Sequence, residues 1–145
     1  MLQPFLPSFY ATGEHCLIFI NGSFTHAIRK RFSLLEGLDQ VGQMPITAEA
    51  EELAFAQRVL KRLPVVPLFA RVDLVRNHRH QLLLNELEVI EPVLYLSSCP
   101  QARRRLTDAC LQLLQQAIKQ RQHIAIQEQA GLGKQHEQET LTPVN

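Results

Sequence analysis

Asn21 and Gly22 separate two strand-like runs, EHCLIFI before them and SFTHAIRK after. Asn-Gly accepts the two positive φ angles of a type I′ turn, so the pair predicts a tight β-hairpin. A second hairpin is predicted over residues 69–92, FARVDLVRNHRHQLLLNELEVIEP. Between the two, a helix starts near Thr47 as N-cap, with Glu49, Glu51 and Glu52 in its first turns complementing the dipole. Leu53, Ala56, Leu60 and Leu63 give it an apolar stripe, and Pro64 and Pro67 end it. A last helix is predicted from about Ser98 to Gln120. There Leu106, Ala109, Cys110, Leu113, Leu114, Ala117 and Ile118 keep helical spacing and imply one buried face.

The order ββα then ββα predicts an α+β domain: an antiparallel sheet of two hairpins with two helices packed on one face. Residues 32–46, with Gly37, Gly42 and Pro45, read as irregular. Residues 1–12 read as an extended linker broken by Pro4 and Pro7, and residues 13–121 as the folded lobe. From residue 122 to 145 the chain is rich in Gln, Glu and Gly and reads as a disordered polar tail. Gly131-Leu132-Gly133-Lys134 has the composition of a phosphate loop but the wrong spacing, and no strand precedes it.

A chain of 145 residues with 46% hydrophobic content has enough material for one core. Its net charge of +1, from 15 basic and 14 acidic residues, gives no electrostatic reason to expect nucleic acid or an anionic membrane. Three cysteines, Cys16, Cys99 and Cys110, include no CxxC pair and suit a reducing compartment. No basic region leads into an apolar run at the N-terminus, and no apolar run has the length of a membrane span. A cytoplasmic protein is expected.

The second hairpin carries an excess of charge for a strand pair. With a four-residue loop from His78 to Gln81, Asn77 faces Leu82, Asp73 faces Glu86, and Arg71 faces Glu88, so all four charged residues share one face. A slip of one residue would separate Asp73 from Glu86. The plain reading is a solvated sheet face. The sharper one starts from repulsion: two carboxylates at ~4 Å repel by about 4 kcal/mol at an effective dielectric near 20. A cation relieves that, and Mg²⁺ suits a site of one or two carboxylates completed by waters and substrate phosphates. Arg71 has two readings, a contact to phosphate or substrate carboxylate and an ion pair with Glu88. His78 and His80 read as polar loop residues rather than transition-metal ligands, and His26 is ambiguous.

ARVDLV and NELEVIEP together resemble the magnesium-binding strand pair of the ATP-grasp superfamily, especially its RimK-like and glutathione-synthetase-like ligases. The resemblance implies that Asp73, Glu86 and Glu88 hold Mg²⁺ against the phosphates of ATP. GEHCLIFINGSFTHAIRK resembles the family's hairpin that opens the C-terminal lobe, which brings Lys30 or Arg31 toward phosphates. LQPFLP resembles the segment between lobes that contacts adenine, here Gln3, Pro4, Phe5 and Leu6. The family relation implies a carboxylate–amine ligase, with small-molecule or peptide carboxylates and amines as substrates and an acyl-phosphate on the way.

Two features depart from the family pattern. Its acidic-Phe-Arg segment after the first hairpin is replaced by LLEGLDQVGQM, which contains no arginine. Its N-terminal lobe has no counterpart, so a missing lobe or self-association is expected. A non-catalytic remnant that retains metal binding is the alternative.

Overall fold

A computed structural model describes residue 6 and residues 12–31 and 42–139, the last helix being described by its backbone alone at 125, 126 and 128–139. Two compact units, Met1–Ala109 and Cys110–Asn145, divide the chain. The first unit holds five antiparallel strands: β1 (Glu14–Ile20), β2 (Ser23–Arg31), β3 (Gly42–Ile46), β4 (Phe69–Arg76) and β5 (Leu82–Glu88). Their order across the sheet is β3-β2-β1-β4-β5, so the two predicted hairpins lie side by side, joined through β1 and β4. The expected α+β class is what forms. Asn21 and Gly22 have φ of 48° and 73°, as the tight turn demands.

β3 is an addition to the predicted pair of hairpins. Gly42 and Pro45 argued against a strand there. The segment nevertheless pairs with β2 from Ala27↔Ile46 to Arg31↔Gly42. Proline lacks an N–H to donate, and an edge strand, paired on one side only, tolerates that loss.

Both hairpins carry a register shift. On β2 the pairing passes from Phe19↔Phe24 to Ile18↔His26, which leaves Thr25 as the extra residue. On β5 it passes from Leu74↔Leu84 to Asp73↔Glu86, with Asn85 extra. Such bulges send the residues beyond them to the opposite face from the one an unbroken ladder would give.

Helix α1 (Ala50–Leu60) starts at Glu49, not at the expected Thr47. The Glu49 N–H donates to Glu52 Oε2 at 2.9 Å, so a carboxylate one turn in satisfies an otherwise orphaned donor. Ala56 of α1 packs with Leu17, Phe19, Ala27, Ala70, Val72 and Leu74, all essentially buried, and Phe19 meets Phe24 edge to face. A second cluster, on the other side of the sheet by strand alternation, contains Cys16, Ile18, Ile28 and Tyr95.

Helix α2 runs from Pro100 to Glu139, with proline at the first helical position where its missing N–H costs nothing. Its early residues Ala102 and Ala109 join Ile20, Leu68 and Leu106. The apolar stripe is buried only as far as Ala109, because Leu113, Leu114 and Ile118 are 50%, 58% and 48% exposed. The backbone is helical as far as Glu139, where Gln, Glu, Ala and Lys are good helix formers despite Gly131 and Gly133.

Candidate functional site

Arg71 and Asp73 lie on β4, an interior strand of the sheet between β1 and β5, 4% and 0% exposed. The Arg71 guanidinium donates to Asp73 through Nε at 2.9 and 3.0 Å and through Nη2 at 2.8 Å. The same Nη2 reaches Glu88 Oε1 at 2.5 Å and Glu86 Oε2 at 3.3 Å. Three carboxylates therefore converge within 3.3 Å of one nitrogen. The expected pairs Asp73↔Glu86 and Arg71↔Glu88 are the ones that form. The loop end differs, because Arg76 rather than Asn77 faces Leu82. A loop one residue longer than expected is offset by the bulge at Asn85. Within it, the Asn77 Oδ1 accepts from the Arg79 and Gln81 N–H groups at 2.9 and 3.0 Å.

The ion pair of Arg71 with Glu88, one of the two readings left open by the sequence, forms. Its guanidinium sits where the carboxylates crowd, and Glu88 is one of three partners. Burial by itself disfavours the charge on Arg71, but its bonds to Asp73 and the Asp73 charge outweigh that and raise its pKa. Glu86 is half-exposed, and its pKa is raised by partial burial and then by the Glu88 charge, which Arg71 offsets only in part. The arginine leaves like-charge repulsion in place at the open end of the cluster.

A deeper layer was not anticipated. Glu14 is 2% exposed and accepts from Lys30 Nζ at 2.7 Å and from Asn85 Nδ2 at 2.7 Å. Burial disfavours the Lys30 charge, but Glu14 more than offsets this and raises its pKa. Ligand atoms of Glu14, Cys16 and Asp73 lie within 4.8 Å of one another. Burial, and then the charges of Asp73 and Glu14, push the Cys16 thiol far up, so without a cation the sulfur stays protonated. With Lys30 on Glu14 and Arg71 on Asp73, this inner group is charge-balanced. Just before β1, Gly13 has a φ of +77°, and a Cβ there would lie 2.4 Å from the Lys30 carbonyl oxygen, so the position requires glycine.

Lys30, Arg71, Glu86, Glu88, Ile90 and Tyr95 line an open groove of about 700 Å³ on this face. Of the two cations expected near phosphates, Lys30 is in the groove, while Arg31 lines a cavity on the α1 face. The bulge at Thr25 makes that division. Gln3, Pro4 and Phe5 lie outside the described residues, and Leu6 is half-buried. His26 faces this side near Leu94 and Tyr95, and burial lowers its pKa. Glu14 and Asn85 had one signal in the sequence, polar residues inside apolar strands, but neither could be paired without knowing the bulges.

The donor set suits a hard cation. Asp73, Glu86 and Glu88 offer only oxygen, and Glu86 and Glu88 are accessible from the groove. Among the described residues no helix is long and apolar enough to cross a membrane.

No protein-family model and no curated protein matches the chain. Among solved structures it is similar to the D-cycloserine synthetase DcsG, with 28% identity and a TM-score of 0.69 over 77% of this chain and 41% of that one. It is also similar to a D-alanine–D-alanine ligase from Bacillus anthracis complexed with ATP, with 16% identity and a TM-score of 0.50 over 68% of this chain and 36% of that one. The second likeness shows the fold alone. Both neighbours are ATP-grasp ligases, and the fold described here is that of an ATP-grasp subdomain. The chain spans less than half the length of either.

Proposed function

We propose that this chain is the ATP- and Mg²⁺-binding part, the C-terminal lobe, of an ATP-dependent carboxylate–amine ligase that works through an acyl-phosphate. The observation that carries the reading is the convergence of Asp73, Glu86 and Glu88 beside Lys30 and Arg71 in an open groove. Mg²⁺, when bound, would neutralise charge on a transferring phosphoryl group.

The protein's own residues would do the rest. Glu86 and Glu88 present oxygens at the groove, and Asp73 anchors Arg71 from below. A substrate phosphate or carboxylate entering the groove would meet the positive charges of Arg71 and Lys30, which line it. Small-molecule or peptide carboxylates and amines fit such a site, and a further lobe or a second copy would have to enclose them. A cytoplasmic setting accords with the free thiols Cys16, Cys99 and Cys110.

A second reading has its own support. Arg71 already compensates the carboxylates, as expected if the chain is a non-catalytic remnant whose arginine has taken over the stabilising role of an ion. Calorimetry separates the two. The ligase reading expects ATP binding that requires Mg²⁺ and is lost in Glu86→Gln, a half-exposed position whose change leaves the core intact. ATP affinity that is equal with and without Mg²⁺, or undetectable in both, favours the remnant. Phosphate release above that of Glu86→Gln is not expected from this chain alone, because positioning between two lobes supplies much of phosphoryl-transfer catalysis.

A further inference from the structure

A second cavity, of about 440 Å³, lies on the α1 face of the sheet and is independent of the carboxylate groove. Its volume is in the range of small-molecule sites. His15 of β1, Arg29 and Arg31 of β2, and His78 and His80 of the β4–β5 loop line it, with Glu52 of α1. These side chains come from four separate parts of the unit. Strand alternation and the Thr25 bulge put His15, Arg29 and Arg31 here, while Glu14, Cys16 and Lys30 face the other way.

The balance of charge in this cavity is the reverse of that in the groove. Glu52 is the one carboxylate among its described lining residues, and it is already engaged. Its Oε1 is 2.7 Å from His15 Nδ1, and its Oε2 accepts the Glu49 N–H at 2.9 Å. Burial pushes Glu52 up, but His15 and the Glu49 N–H together hold it below the usual carboxylate value. An ionised Glu52 can only accept, so His15 carries its proton on Nδ1, and Nε2 is the ring's remaining polar atom. Arg76, at the rim, is held by Glu49 and Glu51 at 2.8 and 3.2 Å.

Arg29 is the least satisfied group of the set. Its Nε is buried and has no hydrogen-bond partner among the described residues. Its Nη2 meets the Met44 sulfur at 3.8 Å, a weak acceptor. A buried guanidinium donor without an oxygen partner is costly to keep, and a planar fork is matched by a phosphate or a carboxylate.

We propose that this cavity is a binding site for a small phosphate-like dianion, held by Arg29 and Arg31 with His15, His78 and His80 as further polar contacts. The site stands whether or not the groove on the opposite face binds nucleotide.

Inorganic phosphate is the probe. The 145-residue chain is titrated at constant ionic strength, and amide shifts are followed by ¹H–¹⁵N NMR. Saturable shifts centred on Gly13, His15, Arg29 and His78 are expected, and succinate in place of phosphate tests whether a dicarboxylate serves equally. Arg29→Gln should weaken binding by about ten-fold or more, the loss of a charged hydrogen-bond donor. Arg29→Lys, which keeps the charge but not the fork, should weaken it less, and Lys30→Gln on the opposite face should leave it unchanged. Thermal melts of each variant separate loss of binding from loss of folding. Shifts centred on Lys30 and Arg71, identical shifts with chloride, or an Arg29→Gln chain that is folded and binds as before would each overturn the proposal.

Discussion

Arg71 and Arg76 stand five residues apart on one strand, and each gathers more than one carboxylate. Arg71 meets Asp73, Glu86 and Glu88 and is 5% exposed at its side chain. Arg76 meets Glu49 and Glu51 on the other face, where its side chain is 26% exposed and both glutamates are 64% exposed. The partners are alike in chemistry and differ in surroundings. Around Arg76 water competes for every charge, and side-chain entropy opposes the pairing. Around Arg71 water is largely absent, so each missing partner would leave a charge uncompensated. Burial, rather than the number of ion pairs, makes one cluster a candidate site and the other a solvated rim.

Removing each arginine tests that contrast directly. Arg71→Met leaves Asp73 buried beside two further carboxylates and should cost about 3–5 kcal/mol of unfolding free energy. Arg76→Met should cost less than about 1 kcal/mol. Urea denaturation of the two variants under one buffer measures both, and losses of similar size would mean that burial does not separate the clusters. Added Mg²⁺ should recover part of the Arg71→Met loss, because it supplies the charge the arginine removed.

The α1 face does contain one buried carboxylate, and it sharpens the comparison. Glu52→Gln should cost about 1–3 kcal/mol at neutral pH, through the bonds to His15 and to the Glu49 N–H. The folded-state pKa of Glu52 is below its ordinary value, so this contribution is complete above that ordinary value. It disappears as pH falls through the folded-state pKa. Denaturation curves of wild type and Glu52→Gln should therefore converge in acid, and a gap that stays constant from neutral pH down to strong acid would remove the ion-pair explanation.

The smallest effect is expected at the open end of the groove. The pKa of Glu86 is raised, so its favourable contribution is complete below the ordinary carboxylate value and is lost as pH rises through the folded-state pKa, leaving none at neutral pH. Glu86→Gln should leave stability unchanged or raise it by a few tenths of a kcal/mol, discounted for the exposure of the group. In the same melts, the stabilisation by Mg²⁺ should be smaller in Glu86→Gln than in wild type. An equal response to Mg²⁺ would show that Glu86 is not a ligand.

The local chemistry of the sequence settled a large part of this protein. Asn21-Gly22 admits one kind of turn, and the run of Leu53, Ala56 and Leu60 admits a helix with one apolar side. The alternation in ARVDLV and NELEVIEP puts Arg71 with Asp73, and Glu86 with Glu88, on single faces because side chains alternate with a period of two. These are short-range consequences of sterics and periodicity, legible from a few residues at a time.

What remained hidden depends on partners distant in sequence. β3 exists because β2 offers it a free edge, whatever Gly42 and Pro45 prefer alone. The far half of the α2 stripe reads as core, yet it is exposed, because periodicity states which side of a helix is apolar and not whether anything covers it. Above all, two single-residue bulges decide the site. Without Thr25 as the extra residue, β2 would turn Arg29 and Arg31 to the groove and Lys30 away from it. Without Asn85, an unbroken ladder from the β4–β5 loop would place Glu86 opposite Val72, on the α1 face. A bulge leaves almost no mark in a sequence, because its stabilisation comes from across the sheet: Thr25 donates to the Ile18 carbonyl at 3.1 Å, and Asn85 donates to Glu14 at 2.7 Å. The residue types came from the sequence, and the tertiary hydrogen bonds chose which face each of them serves.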